Sequence, residues 1–292
     1  MVSIPAPPTS LSHQVRSPAA AMSSGNSDYG DAPPGYKESL ASGTFVSPSD
    51  SGIISQLDIQ AIGYDTNQAL TGNVLENISV YRVGSSELEY ISIRLKKNSN
   101  SSALVRGSDT SQAPLISTIY RWGPGRRPRM RILSPGAAAT VEEAIESDHL
   151  VCEVVEVKSR NMMSRAQELK TSFGTFEWRY GGRDERKKAS EASSFLVLER
   201  TDDAAPALAS NGKVGKHGVP IAQLVRNADL RTPGTSRWMG GNGGRLIMNL
   251  GLWTDDKKTT TQDAEAFIVA SCILMLKREA DRFKDNTIAA VV

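Results

Sequence analysis

The sequence predicts a mainly β protein, a closed antiparallel β-barrel around a C-terminal hydrophobic helix, with a disordered N-terminal tail. Three observations predict this fold class. Residues 1–50 are rich in proline and serine, the chain beyond them alternates apolar and polar residues with period two, and residues 264–276 form one apolar run. A chain of 292 residues with 39% hydrophobic content is long enough to bury such a core.

The N-terminal tail is predicted to cover residues 1–54. Residues 1–50 contain seven of the fourteen prolines and eleven serines, and Tyr29, Tyr36 and Phe45 are their only aromatic residues. Such a segment buries too little apolar surface to offset the entropy lost on ordering. A folded domain is therefore expected over residues 55–292.

Strand patterns dominate this folded domain. EYISIRLKK places Ile91, Ile93 and Leu95 on one face, and TFEWRY (175–180) places its three aromatic residues on one face. Such alternation predicts half-buried antiparallel strands with an apolar face toward the core. The other predicted strands, separated by turn residues, are 77–83, 114–122, 127–133, 150–158, 193–200, 220–227 and 245–253.

Three further segments are less regular. ATVEEAIESD (139–148) fits either a short helix or a solvated acidic loop. RDERKK (183–188) alternates in charge and is predicted to be a solvated loop between two strands. The glycines of RWMGGNGGR (237–245) precede a strand pattern, so they predict a flexible hairpin loop and not a phosphate cradle at a helix start.

One long helix is predicted at residues 261–284. Thr259 and Gln262 have the spacing of a capping box, which marks a helix start. The basic residues Lys277, Arg278 and Arg282 suit the negative pole at the helix C-terminus.

The apolar part of this helix predicts the architecture. Between residues 264 and 276 only Glu265 and Ser271 are polar, so no side of the helix suits water. At about 1.5 Å per residue the run is about 20 Å long, shorter than a hydrocarbon core of about 30 Å. Strands wrapped around the helix would enclose it, which favours a barrel; a β-sandwich with the helix at one end is the alternative.

The order of these elements resembles a family of fungal proteins with a tubby C-terminal-like domain. The resemblance rests on FGTFEWRY, SSFLVLERTD, RLIMNLGLW and the terminal DAEAFIVASCILMLKREADR, and it covers about residues 60–285. It implies a closed barrel around a central helix, as in tubby proteins, plant LURP-one-related proteins and phospholipid scramblases. Tubby domains bind phosphoinositide headgroups and scramblases have a proposed calcium site, but neither residue set aligns with this sequence.

A PPxY motif lies in the tail. Pro33 and Pro34 favour a polyproline II turn that fits between WW-domain aromatics, and Tyr36 fills a second pocket. The motif predicts recruitment of a WW-domain protein, such as a HECT-type ubiquitin ligase. A chance occurrence in a proline-rich tail is the alternative.

An arginine-rich segment, RWGPGRRPRMR, lies in a stretch without acidic residues from Thr110 to Val141. A turn at residues 123–125 would make it a hairpin with clustered guanidinium groups, which suit anionic phospholipid headgroups. The alternative is a strand face whose arginines pair with acids elsewhere. Nucleic acid is the less favoured ligand because the net charge is only +2. The candidate residues are Arg121, Arg126, Arg127, Arg129 and Arg131.

Catalytic residues, cofactors and metal sites are not expected. His13, His149 and His217 have no metal-ligand or nucleophile spacing, and Cys152 and Cys272 form no CxxC motif. The N-terminus lacks a secretory apolar run, so a cytoplasmic protein is expected. The sequence thus predicts a non-enzymatic adaptor with a WW-binding tail. The alternative is a peripheral membrane protein that binds anionic phospholipid, with or without lipid-moving activity.

Overall fold

The computed structural model describes residues 53–71, 76–97, 99–123, 126–159, 165–189, 192–202, 218–254 and 259–291. Within these ranges, twelve strands form one closed antiparallel barrel in which each strand pairs with its sequence neighbours and β1 pairs with β12. The strands are β1 (Ile54–Gln60), β2 (Ile78–Arg82), β3 (Leu88–Arg94), β4 (Ser102–Arg106), β5 (Pro114–Ile119), β6 (Arg129–Leu133), β7 (Cys152–Ser159), β8 (Gln167–Thr171), β9 (Gly174–Tyr180), β10 (Ser194–Arg200), β11 (Val219–Arg226) and β12 (Gly244–Asn249). Closure of the sheet confirms the predicted barrel and excludes the sandwich.

Helix α4 (Thr261–Val291) supplies the centre of the core, as predicted. Every residue from Ala264 to Lys277 is buried, among side chains from the barrel strands. Phe267 packs on Phe173 and Phe176 with ring centroids 5.1 and 5.5 Å away. No helix in the described ranges is long and apolar enough to cross a membrane.

The polar residues of the apolar run find partners inside the barrel. Ser271 Oγ accepts a hydrogen bond of 2.9 Å from Trp178 Nε1. Glu265 accepts hydrogen bonds from Ser55 Oγ (2.5 Å) and Tyr90 Oη (3.0 Å) and forms an ion pair with Arg82 (3.1 Å). Burial of both residues is therefore compensated, as buried polar groups require.

The ends of α4 differ from the prediction. The capping box is formed by Thr260 and Asp263, one residue later than expected: Asp263 N donates to Thr260 Oγ1 (3.1 Å) and Thr260 N donates to Asp263 Oδ2 (3.2 Å). At the other end the helix runs to Val291, so Arg278 and Arg282 lie inside it and not in its last turn. These two guanidinium groups stack instead on Trp122 and Tyr180.

Each of the predicted strands is present, but β3 faces the other way. Tyr90, Ser92 and Arg94 are buried, whereas Ile91 and Ile93 are half-buried on the outer face. The tyrosine reaches Glu265 on α4, and this polar contact decides the orientation over the apolar alternation. Three strands were not predicted: β1, β4 and β8, the last with Leu169 as its only large apolar residue.

The short helices include one correction. The segment at 139–148 contains helix α2 (Val141–Glu146), which starts with a Thr140–Glu143 capping box. RDERKK forms helix α3 (Arg183–Lys188) and not the predicted loop, because Glu185 accepts a hydrogen bond from Gly182 N and neutralises Arg179. The remaining helices are α1 (Thr66–Thr71) and a 3₁₀ turn at Gly251–Trp253.

Candidate anion-binding end of the barrel

The end of the barrel where residues 276–286 of α4 emerge, here called the exit end, gathers the candidate residues. The connection between β5 and β6 reaches α4 through Trp122, whose Nε1 donates to Asp285 Oδ2 at 2.8 Å. The connection between β11 and β12 reaches α4 through Gly240 and Gly241. These two connections are six strands apart in a twelve-stranded barrel, so they lie on opposite sides of the helix.

The β5–β6 connection and the first residue of β6 hold four of the five predicted arginines at the surface. Its tip turns at Gly123, whose carbonyl accepts a hydrogen bond of 3.2 Å from Arg126 N. The exposed arginines have no ion pair with a carboxylate in the described part of the chain. Even Glu156, across the ladder from Arg129, forms its ion pair with Lys158 (3.5 Å). This group, called the arginine tip, consists of Arg121, Arg126, Arg127 and Arg129.

Arg131 does not belong to the arginine tip. It is only 7% exposed, because its side chain packs against α2, which lies on β4 and β5. Its guanidinium donates to the carbonyls of Ala144 and Ser147 and forms an ion pair with Asp148. A cation at this position stabilises the C-terminal pole of α2. The alternative interpretation, in which the arginines pair with acids elsewhere in the fold, therefore applies to Arg131.

The β11–β12 connection adds an aromatic residue to the exit end. Trp238 is 72% exposed, and the guanidinium of Arg237 lies 4.4 Å from its ring centroid. Sequence reasoning missed both residues, although residues 230–254 lack acids just as the first arginine-rich stretch does.

The glycines lie in the connection between the antiparallel strands β11 and β12, where a hairpin loop was predicted, and two of them contact α4 closely. A Cβ on Gly240 would lie 2.4 Å from Cβ of Phe283, and one on Gly241 would lie 2.5 Å from the Leu276 carbonyl oxygen. Glycine is thus needed for close contact with α4.

Buried charges hold α4 in place at the exit end. Glu279 forms a bidentate pair with Arg226 at 2.6 and 2.8 Å. Burial alone would raise the pKa of Glu279, but Arg226 outweighs it and the net pKa is lowered. Asp281 accepts hydrogen bonds from Tyr120 Oη (2.5 Å) and Asn100 Nδ2 (3.1 Å), and burial raises its pKa. The exit end is therefore a preorganised surface.

Other predicted features are placed as follows. The motif at Pro33, Pro34 and Tyr36 lies outside the described residues. Cys272 is buried in the core, and burial raises the pKa of its thiol. The described ranges contain no group of three or more His, Cys, Asp and Glu side chains arranged to hold a metal ion.

No protein-family model, curated protein or solved structure matches this chain. The resemblance to tubby C-terminal-like proteins accordingly stays a prediction from the sequence, and the function must be argued from the exit end itself.

Proposed function

We propose that this protein is a peripheral membrane protein whose exit end binds anionic phospholipid, without a catalytic step. One observation carries the proposal: the arginine tip presents four exposed cations that have no carboxylate partner in the described chain, at the same end as Trp238. Basic residues near an anionic surface each contribute about 1 kcal/mol. Exposed tryptophan is enriched at membrane interfaces, where its ring lies at headgroup level.

The geometry supports this proposal through its two-sided arrangement. The arginine tip and Trp238 lie at the same end of the barrel, on opposite sides of the emerging helix. Between them the last turns of α4 carry Ile288 and Val291, which are 41% and 68% exposed. Apolar side chains surrounded by cations suit the boundary between headgroups and acyl chains.

Flotation with lipid vesicles tests the proposal. The full-length protein is mixed with neutral phosphatidylcholine vesicles, or with vesicles that also contain phosphoinositide, and we expect binding only to the anionic ones. Arg127→Gln should reduce the partition coefficient about fivefold, since about 1 kcal/mol is lost. The matched control is Lys170→Gln, which removes one exposed cation from the side of the barrel. Equal losses from both variants, or equal binding to neutral vesicles, would contradict the proposal.

A second proposal, in which the protein acts as an adaptor, rests on the PPGY motif at residues 33–36. A cytoplasmic protein with this motif would recruit a WW-domain partner, such as a HECT-type ubiquitin ligase, to the membrane surface. Tyr36→Ala should abolish binding to an isolated WW domain and leave the melting temperature of the barrel unchanged. Retained binding would show that the motif is not used.

A further inference from the structure

A cavity of about 240 Å³ opens at the exit end, beside α4. Its walls come from the start of β10, the end of β9, the β11–β12 connection and residues 279–286 of the helix. Five of its lining residues are arginines and one, Glu279, is acidic. We call this cavity the arginine pocket; its arginines are Arg165, Arg226, Arg231, Arg237 and Arg282.

The charges of the arginine pocket are not balanced. Arg226 is committed to Glu279, and it also donates to Ser194 Oγ (2.7 Å) and the Asn242 carbonyl (3.0 Å). The other four arginines form no ion pair with a carboxylate in the described ranges. Their contacts are neutral: Arg282 donates to Tyr180 Oη at 2.7 Å, and Arg165 lies over the same ring at 5.9 Å. Four arginines therefore line the pocket without an ion pair to a carboxylate in the described ranges, and Glu279 is the one acidic residue among the lining residues.

Arg231 shows the imbalance most clearly. It donates to Ser193 Oγ at 2.5 Å, but its buried Nε has no acceptor in the described chain. Burial and the nearby cations Arg226 and Arg237 lower its pKa. An anion in the cavity would supply both an acceptor for the buried Nε and a neutralising charge.

The adjoining groove, of about 690 Å³, differs from the arginine pocket because its buried arginine is paired with carboxylates. Its buried arginine, Arg179, pairs with Glu185 at 2.7 Å and Glu199 at 2.5 Å. Arg179 is thus neutralised within the fold, and the carboxylates of Glu177 and Glu185 also line the groove, which makes it less suited to an anion. The contrast singles out the arginine pocket.

We propose that the arginine pocket binds a compact phosphate-bearing ligand through Arg165, Arg231, Arg237 and Arg282. Each planar guanidinium group can donate two hydrogen bonds to phosphate oxygens. Several guanidinium groups together match the two negative charges of a phosphate better than the single charge of a carboxylate. With about 30 Å³ for each water in the liquid, the cavity holds about eight water-sized groups, enough for one or two phosphates. Ser193 and Asn242 add polar groups to the lining.

This inference does not depend on the arginine tip, because the two sets of arginines share no residue. The phosphate can belong to a lipid headgroup that projects from the membrane or to a soluble compound. Both sources present the same tetrahedral anion.

Calorimetric titration of the full-length protein with inorganic pyrophosphate tests the proposal first. We expect saturable binding that Arg231→Gln weakens about tenfold or more, since a hydrogen bond to a charged group is lost. Arg127→Gln, on the arginine tip, is the control and should leave the affinity unchanged. Arg231→Lys should recover part of the loss, because it restores the charge without the bidentate geometry.

Thermal unfolding separates this role from a structural one. Without added anion, Arg231→Gln should leave the melting temperature unchanged or raise it, because it removes an unneutralised charge. At the same pyrophosphate concentration, the wild type should be stabilised more than the variant. A lower melting temperature of the apo variant, together with no stabilisation of the wild type, would show that Arg231 serves the fold alone.

Vesicles distinguish the two sources of phosphate. Matched vesicles contain either phosphatidic acid, which has a phosphate monoester, or phosphatidylserine at equal negative charge. Weaker flotation of Arg231→Gln on phosphatidic acid alone assigns the pocket to a lipid headgroup. Unchanged flotation with impaired pyrophosphate binding assigns it to a soluble ligand. Absence of wild-type binding to pyrophosphate and of any preference for phosphatidic acid would overturn the proposal.

Discussion

At the scale of single residues, the exit end combines buried charges that serve the fold with exposed charges that do not. Glu279 and Arg226 have side chains that are 11% and 2% exposed, so their pair is shielded from water. Asp58 and Arg245 form a comparable pair on the outer face, where both are about 30% exposed. Breaking a buried pair leaves an uncompensated charge, whereas an exposed pair contributes little.

Glu279→Gln should therefore lower the free energy of unfolding at pH 7 by about 3–5 kcal/mol. The native pKa of Glu279 is lowered below its ordinary value of 4.5, so its contribution is complete above that pH and is lost as the pH falls through the native pKa. Urea unfolding at pH 7 and at pH 4 measures both effects. The difference in the free energy of unfolding between wild type and Glu279→Gln should be smaller at pH 4 than at pH 7. Asp58→Asn should lower the free energy of unfolding by less than about 1 kcal/mol.

The two cysteines should differ in reactivity for the same reason of burial. Cys272 is 0% exposed inside the barrel and its thiol has a raised pKa, while Cys152 is half-buried at the start of β7. An aromatic disulfide reagent should label one thiol in the native protein and two in denaturant. Rapid labelling of both in the native state would mean that α4 is not enclosed.

At the scale of elements, the sequence predicted those parts whose pattern is local. The buried run of α4 and the alternation in β9 come from apolar side chains that face the core, and both predictions were confirmed. β3 was assigned to the wrong face because Tyr90 pairs with Glu265, a contact between residues 175 positions apart. Similarly, Arg131 is buried because it contacts α2 and the residues that follow it, whereas Arg129 is exposed.

The contact between α4 and β9 gives a test of the central helix. Ser271→Ala removes the acceptor of Trp178 Nε1 and should destabilise the protein by about 1–3 kcal/mol, because the indole N–H stays buried. Chemical denaturation of the single and double variants measures the contribution of this hydrogen bond to the free energy of unfolding. In a Trp178→Phe background, which has no N–H to satisfy, the same serine substitution should cost clearly less. Equal costs in both backgrounds would assign the loss to other contacts of Ser271.

At the scale of the whole molecule, the charge is unevenly distributed despite a net charge of only +2. Acidic residues on α4 and the barrel neutralise Arg82, Arg179 and Arg226. The arginine tip and the arginine pocket, both at the exit end, together contain eight arginines without an ion pair to a carboxylate in the described ranges. The net charge does not reveal this asymmetry. In the sequence it is indicated only by the two stretches without acidic residues, around 110–141 and 230–254. Ion pairing in three dimensions decides which arginines are available to a ligand.

The two groups of arginines should respond differently to salt. The Debye length falls from about 10 Å at 0.1 M to about 3 Å at 1 M, so interactions of exposed charges with a membrane are strongly screened. Arg231 in the pocket is partly buried and contacts its ligand directly, which limits screening. Vesicle flotation should therefore weaken more steeply with ionic strength than pyrophosphate binding does. In the Arg127→Gln variant the salt dependence of flotation should become shallower while that of pyrophosphate binding stays the same. If both affinities fall in parallel in the wild type, exposed charges alone account for both, and the pocket has no separate ligand.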